Sequence, residues 1–139
     1  MAEKPYPMPD DVSRPYWEAA NEGRLAIQRC AACARWVHTP EAVCPGCGSS
    51  ALAFQDVSGK GRVYSFTVVR DNVTKGFEDQ VPYVVGLIEL AEQPRLIVVT
   101  NVVGCDPERV RVGMPVEVTF EPITAAQQIP QFRPARSLP

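Results

Sequence analysis

The sequence predicts an α+β fold that is mainly β: an N-terminal helix, a four-cysteine zinc ribbon and a five-stranded OB-type barrel. Three observations carry that reading. Two Cys-x-x-Cys pairs, Cys30/Cys33 and Cys44/Cys47, stand ten residues apart. Short segments rich in β-branched residues follow Cys47 to the end of the chain, with no long helix among them. One helical turn, "DPERV", falls between the third and fourth of those segments, as in OB-type barrels.

The elements follow in chain order. Residues 1–12 hold three prolines and three acids and read as a flexible arm. "SRPYWEAANEGRL" then reads as a short helix, with Ser13 as N-cap, Pro15 in the first turn and Gly23 as the stop. Tyr16, Trp17 and Ala20 share one face of it. "LAIQRC" is an extended lead into the first cysteine pair. In "GKGRVYSFTVVR" (59–70), Tyr64, Phe66 and Val68 fall on one strand face and Val63, Thr67 and Val69 on the other. "YVVGLIEL" (83–90) and "RLIVVTNVV" (95–103) are the next strands, and Gly86 inside the first marks a bulge or a sharp bend. "PVEVTFE" (115–121) sends Val116, Val118 and Phe120 inward. "QQIPQFRPA" supplies the fifth strand, which its two prolines confine to an edge. The domain limits are then an arm at 1–12, helix and lead-in strand at 13–29, ribbon at 30–56, barrel at 57–135 and a tail at 136–139.

Four thiolates suit tetrahedral Zn²⁺, and each Cys-x-x-Cys turn places two sulfurs on one side of the metal. Cys30, Cys33, Cys44 and Cys47 are therefore the expected ligands, with iron as the alternative metal. Pro45, Gly46 and Gly48 suit the tight second turn. A closed shell of four cysteines leaves no position for water or substrate, so this zinc is structural. Elsewhere the chemistry is sparse. His38, the single histidine, has no nucleophile near it in sequence and reads as a surface or ribbon-packing residue. Cys105 precedes the helical turn, either as a reactive thiol or as a small buried hydrophobe. No phosphate loop, nucleophile elbow or paired carboxylates are present. "SGKGR" (58–62) reads as a turn into the first barrel strand. No catalytic residues are assigned.

Composition narrows the partners. The formal net charge is −2, with 14 Lys and Arg scattered along the chain, which argues against nucleic acid despite aromatics at Tyr64, Phe66, Tyr83 and Phe120. A single-stranded nucleic-acid module is kept as the alternative reading. No apolar run reaches the ~20 residues that span a bilayer. The N-terminus lacks the apolar stretch of a signal peptide, so no membrane partner and a cytoplasmic location are expected.

The order "PYWEAANEGRL", "IQRC", four-cysteine ribbon, "SGKGRVYSFTVV", "VPYVVGLIEL", "IPQFRPA" resembles one family over about residues 13–135. It is the rubredoxin-like zinc-ribbon plus OB-fold family long called domain of unknown function thirty-five. The resemblance implies a non-catalytic subunit that binds acyl-CoA and assembles with a thiolase-superfamily enzyme. Such enzymes include β-ketothiolases, hydroxymethylglutaryl-CoA synthases and the retro-aldol lyases that shorten steroid side chains. It also carries the zinc onto Cys30, Cys33, Cys44 and Cys47. Members often carry arginine directly after the proline before the second cysteine pair, where this chain has Glu41 after Pro40. Within that frame, Tyr16 and Trp17 are candidate partner contacts. Arg70 and Lys75, around the long loop "RDNVTKGFEDQVPY" (70–83), are candidates for CoA phosphates, and Phe77 for covering an acyl chain or adenine. A solvated hairpin loop is the plainer alternative there.

Overall fold

The computed structural model describes residues 4–71 and 74–136. Residues 1–3 of the expected arm, 72–73 of the expected loop and 137–139 of the expected tail lie outside the described residues.

Helix α1 (Arg14–Asn21) buries Tyr16, Ala19 and Ala20. Ser13 is its N-cap by position, yet its hydroxyl does not cap the helix. The Asp10 carboxylate instead accepts from the backbone N–H of Ser13 (2.7 Å) and Val12 (3.1 Å), while Ser13 Oγ accepts from Asp10 N–H (3.1 Å). Those donors, the Ser13 N–H foremost, hold the Asp10 carboxyl below the usual carboxylate range. Gly23, at φ +74°, ends the helix.

Strands β1 (Ala26–Cys30), β2 (Trp36–Val37) and β3 (Leu52–Asp56) form a three-stranded antiparallel sheet in the order β2-β1-β3. The other five strands close a barrel in the order β4-β5-β6-β8-β7: β4 (Lys60–Val69), β5 (Tyr83–Leu90), β6 (Ile97–Val102), β7 (Pro115–Pro122) and β8 (Gln128–Pro134). A 3₁₀ turn at Pro107–Arg109 joins β6 to β7, and Asp106 caps it by accepting the Glu108 N–H. The ring closes between β6 and β8 through one parallel bridge, Val102↔Phe132.

Three expectations need correction. The register of β4 shifts between Val63 and Ser65. This bulge returns Val63 to the core beside Phe66 and Val68, and leaves Tyr64 49% exposed, so strict alternation fails across it. Gly86 carries no bulge: it pairs with Phe66 and with Thr100. A Cβ there would sit 3.0 Å from Val102 Cγ2, so the glycine leaves room for the Val102 side chain. Finally, β8 is the closing strand and not an edge. It pairs with β7 along its whole length and meets β6 through the parallel bridge Val102↔Phe132. At Pro130 the link toward β6 comes from a side chain, Thr100 Oγ1 donating to the Pro130 carbonyl (3.1 Å).

One apolar core runs through all three parts. Tyr16 from the helix, Leu25, Ile27 and Trp36 from the ribbon side, and Val63, Ile88, Leu90, Val98, Val116 and Phe132 from the barrel pack into a single cluster. Side-chain amides lock the parts together. Gln93 accepts the Trp36 N–H (2.9 Å) and donates to the Trp36 carbonyl (3.0 Å). Gln28, buried, does the same for Glu41. Gln127 and Gln128 donate to the Trp17 and Ala20 carbonyls. Each bond satisfies a backbone group that the junctions would otherwise strand.

Candidate metal centre and the surfaces around it

The two cysteine turns are built alike. In the first, Ala34 N–H donates to the Cys30 carbonyl (2.8 Å) and Cys30 N–H to the Arg35 carbonyl (2.8 Å). In the second, Gly48 N–H donates to the Cys44 carbonyl and Cys44 N–H to the Ser49 carbonyl, both at 2.8 Å. Each turn is followed by a residue in the left-handed region, Ala34 at φ +66° and Gly48 at φ +79°. Glycine takes that conformation freely and alanine does not. Ala34→Gly is therefore expected to raise stability by about 0.5–1 kcal/mol, measured as a higher urea midpoint at unchanged slope. A lowered midpoint would refute the idea that Ala34 is strained.

All four Sγ atoms lie within 4.8 Å of one another. Cys30 and Cys47 are 3.6 Å apart, Cys33 and Cys44 3.7 Å. A tetrahedron with Zn–S bonds of ~2.3 Å has edges of ~3.8 Å, so the sulfurs fit a zinc ion. The backbone favours thiolates at the first cysteine of each turn. The N–H of Cys33, then that of Ala32, draws the Cys30 thiol down to about 7 against its burial. The N–H of Cys47, then that of Gly46, draws Cys44 down likewise. Cys47 also feels a lowering contact from Ser49, but its three sulfur neighbours push it up to about 11. Crowding four sulfurs is unfavourable until a cation takes the proton's place. Cys30 and Cys44 are buried with Val37 and Leu52, while Cys33 and Cys47 face solvent.

Beside the ribbon, His38 sits against the Tyr16 ring (centroids 5.4 Å apart), its Nδ1 buried without a partner. Burial pushes its pKa from 6.5 down to about 4. The unfolded chain then binds a proton near pH 6.5 that the folded chain refuses until about pH 4. Stability is expected to fall as pH drops through that window and to level off below it, by at most ~3 kcal/mol. The difference between the protein and His38→Gln, measured by urea unfolding at matched pH, isolates this contribution from the thiols. A difference flat from pH 7 to 4 would sink it.

Tyr16 is itself only 8% exposed, its hydroxyl pushed up to about 12 by burial. It meets Trp17 edge-on (4.9 Å, 89°), so it supports Trp17 from beneath and the indole is the part near the surface. Both line a groove of about 430 Å³, with His38, Pro40, Ile97 and the 66%-exposed Val99. The outward face of β6 was the missed contributor; its signal was the apolar run at 97–99, whose alternate side chains cannot all face inward. Arg70, at the end of β4, pairs with Glu108 (2.6 Å). Lys75 is exposed, whereas Phe77 stacks on Tyr83 (5.5 Å) beneath the Lys4 ammonium. No hydrogen bond or ion pair joins Arg70, Lys75 and Phe77 to one another among the described residues. Of the aromatics considered for base stacking, Phe66 and Phe120 pack on the core and only Tyr64 is exposed. Cys105 packs against the core too, and burial, then Asp106, raises its thiol pKa, so it is a protonated space-filler at neutral pH.

These features define a class of protein: a closed four-cysteine ribbon packed on a closed OB barrel through one core. Residues 17–53 match the ChsH2 rubredoxin-like zinc ribbon domain and residues 54–121 the ChsH2 C-terminal OB-fold domain. The chain belongs to the DUF35 family. It is 34% identical over 115 residues to a DUF35 domain-containing scaffold protein of Pyrococcus furiosus, covering 83% of this chain and 82% of that one. To a probable enoyl-CoA hydratase alpha subunit of Thermomonospora curvata it is 42% identical over 120 residues, which is 86% of this chain but 36% of the subunit's length. Among solved structures, a chain of an Ltp2-ChsH2(DUF35) aldolase superposes with a TM-score of 0.85 at 39% identity, over 94% of this chain and 100% of that one. The zinc-ribbon domain with its four clustered cysteines supports structural zinc. No helix among the described residues is long and apolar enough to cross a membrane.

Proposed function

We propose that this chain is a non-catalytic accessory subunit, cytoplasmic, that binds acyl-CoA and assembles with a thiolase-superfamily enzyme. The full-length likeness to a chain of an aldolase assembly carries the reading. The chain's own chemistry suits it: the four sulfurs form a closed shell, His38 is held neutral, and Cys105 is held protonated. In this reading zinc on Cys30, Cys33, Cys44 and Cys47 holds the ribbon (30–56) rigid against the barrel (57–135). Trp17, backed by Tyr16, and the exposed Val99 give the partner a mostly apolar groove with Asp10, Ser13 and Thr39 also in its lining. Arg70 and Lys75 attract the phosphates of CoA, and Phe77 covers its acyl chain or adenine.

The experiment is a tagged pull-down from native extract with the co-eluting proteins identified by mass spectrometry. Stoichiometric recovery of a thiolase-superfamily enzyme is expected, and calorimetry of the recovered complex with acetyl-CoA then tests the ligand. Recovery of nucleic acid in place of such an enzyme would overturn the reading and favour the single-stranded nucleic-acid module.

A further inference from the structure

Residues 4–10 read Lys-Pro-Tyr-Pro-Met-Pro-Asp. Alternate prolines favour a stiff, extended chain rising ~3.1 Å per residue without internal hydrogen bonds. Both ends of this stretch are tied down. Asp10 is locked into the start of α1 by the Val12 and Ser13 N–H groups. Lys4 Nζ lies 2.8 Å from Glu121 Oε1 on β7 and 5.5 Å from the centre of the Phe77 ring. Between the two anchors Pro7 and Pro9 are half-buried while Met8 is 89% exposed, so the stretch lies along the surface. The segment that composition marks as flexible has contacts at both ends.

What it touches is the segment at 74–80. The hydrogen bonds of residues 74–80 are local: Phe77 N–H to the Thr74 carbonyl, Gln80 N–H to the Phe77 carbonyl, and Gly76 N–H to Glu78. Two ring contacts tie this segment to other elements: the Phe77 ring lies on Tyr83 and the Lys4 ammonium lies on the Phe77 ring. The Lys4–Glu121 pair is 24% and 33% exposed, so salt screens it less than a surface pair.

We propose that residues 4–10 form a strap over residues 74–80: Lys4, pinned by Glu121, presses Phe77 onto Tyr83, and a ligand using Phe77 must first displace it. The inference rests on the reading of Phe77 as a ligand-covering residue. Lys4 and the ligand then compete for one ring face, so by linkage whatever weakens the strap strengthens ligand binding.

Hydrogen–deuterium exchange on the full chain tests the strap directly. Lys4→Met keeps the apolar stem and removes the charge; Lys4→Arg keeps both the ion pair and the ring contact. Lys4→Met is expected to speed exchange of the amides at 74–80 by ~3–10-fold, with β5 and β7 unchanged and Lys4→Arg close to the original. Affinity for acetyl-CoA, measured by calorimetry, is expected to rise by a similar factor in Lys4→Met. Unchanged exchange at 74–80, or acceleration spread equally through the barrel, would overturn the strap. So would weaker acetyl-CoA binding in Lys4→Met, because Lys4 would then be a ligand contact. Selective acceleration with no acetyl-CoA binding in either form would retain the strap and overturn the acyl-CoA reading instead.

Discussion

Replacing Cys30 by serine is expected to empty the ribbon of metal and to unfold it. Binding of structural zinc by such sites is worth ~10–16 kcal/mol in small metal-dependent folds, and it is folding energy. Cys30 is, with Cys44, one of the two buried cysteines of the four. It is 1% exposed, it holds the end of β1 against Leu52 of β3, and its sulfur accepts the N–H groups of its own turn. The damage should not stop at the ribbon, because Ile27 and Trp36 belong to the same core as the barrel. Elemental analysis should show loss of zinc, and the thermal transition should fall or split. In the pull-down, assembly with the partner should be lost, while Cys105→Ser, outside the cluster, should keep its metal and its partner. Full zinc content with an unshifted transition in Cys30→Ser would contradict the assignment of four cysteine ligands.

Phe132→Ala is expected to cost about 3–5 kcal/mol, the range for emptying a fully buried aromatic site. Phe132 is 0% exposed and lies where the barrel closes. Its backbone bridges Val102 on β6 and pairs with Val118 on β7, and its carbonyl accepts the Val103 N–H at 2.8 Å. Removing the ring leaves a cavity at the seam between two strands that share a single bridge, where neighbours collapse least easily. Against a total stability of ~5–15 kcal/mol this is a large fraction, and the midpoint should drop by roughly 10–20 °C. Phe132→Leu, closer in volume, should lose much less. A loss under ~1 kcal/mol for the alanine variant would show that β8 does not hold the barrel shut.

Much of this protein is legible in the order of its residues. The cysteine pairs are readable because metal chelation by a Cys-x-x-Cys turn is a local event, decided within a few residues of chain. The strands are readable where one face is buried and the period of two survives, as in β5, whose Val84, Gly86, Ile88 and Leu90 are all buried. The 3₁₀ turn is readable from Asp106 and Pro107, a cap and a preset φ side by side. Each of these signals is written in neighbouring residues.

The remainder depends on partners distant in sequence. The bulge at Val63–Ser65 arises because β4 must serve both β5 and β7, and no periodicity within β4 announces it. Pro130 sits in a closing strand, paired with Phe120 of β7, and Thr100, thirty residues away, reaches its carbonyl. Tyr16 looks like a surface anchor on a helical wheel, yet His38 and the shared core cover it. Phe77 looks free in its loop, yet Lys4 covers it from the other end of the chain. The sequence by itself determined the parts: a metal-held ribbon, a helix and a set of barrel strands, because short-range geometry and burial period are properties of adjacent residues. Tertiary structure alone decided which of their faces remain available, because exposure is what is left after segments far apart in the chain have packed, and no local pattern encodes that sum.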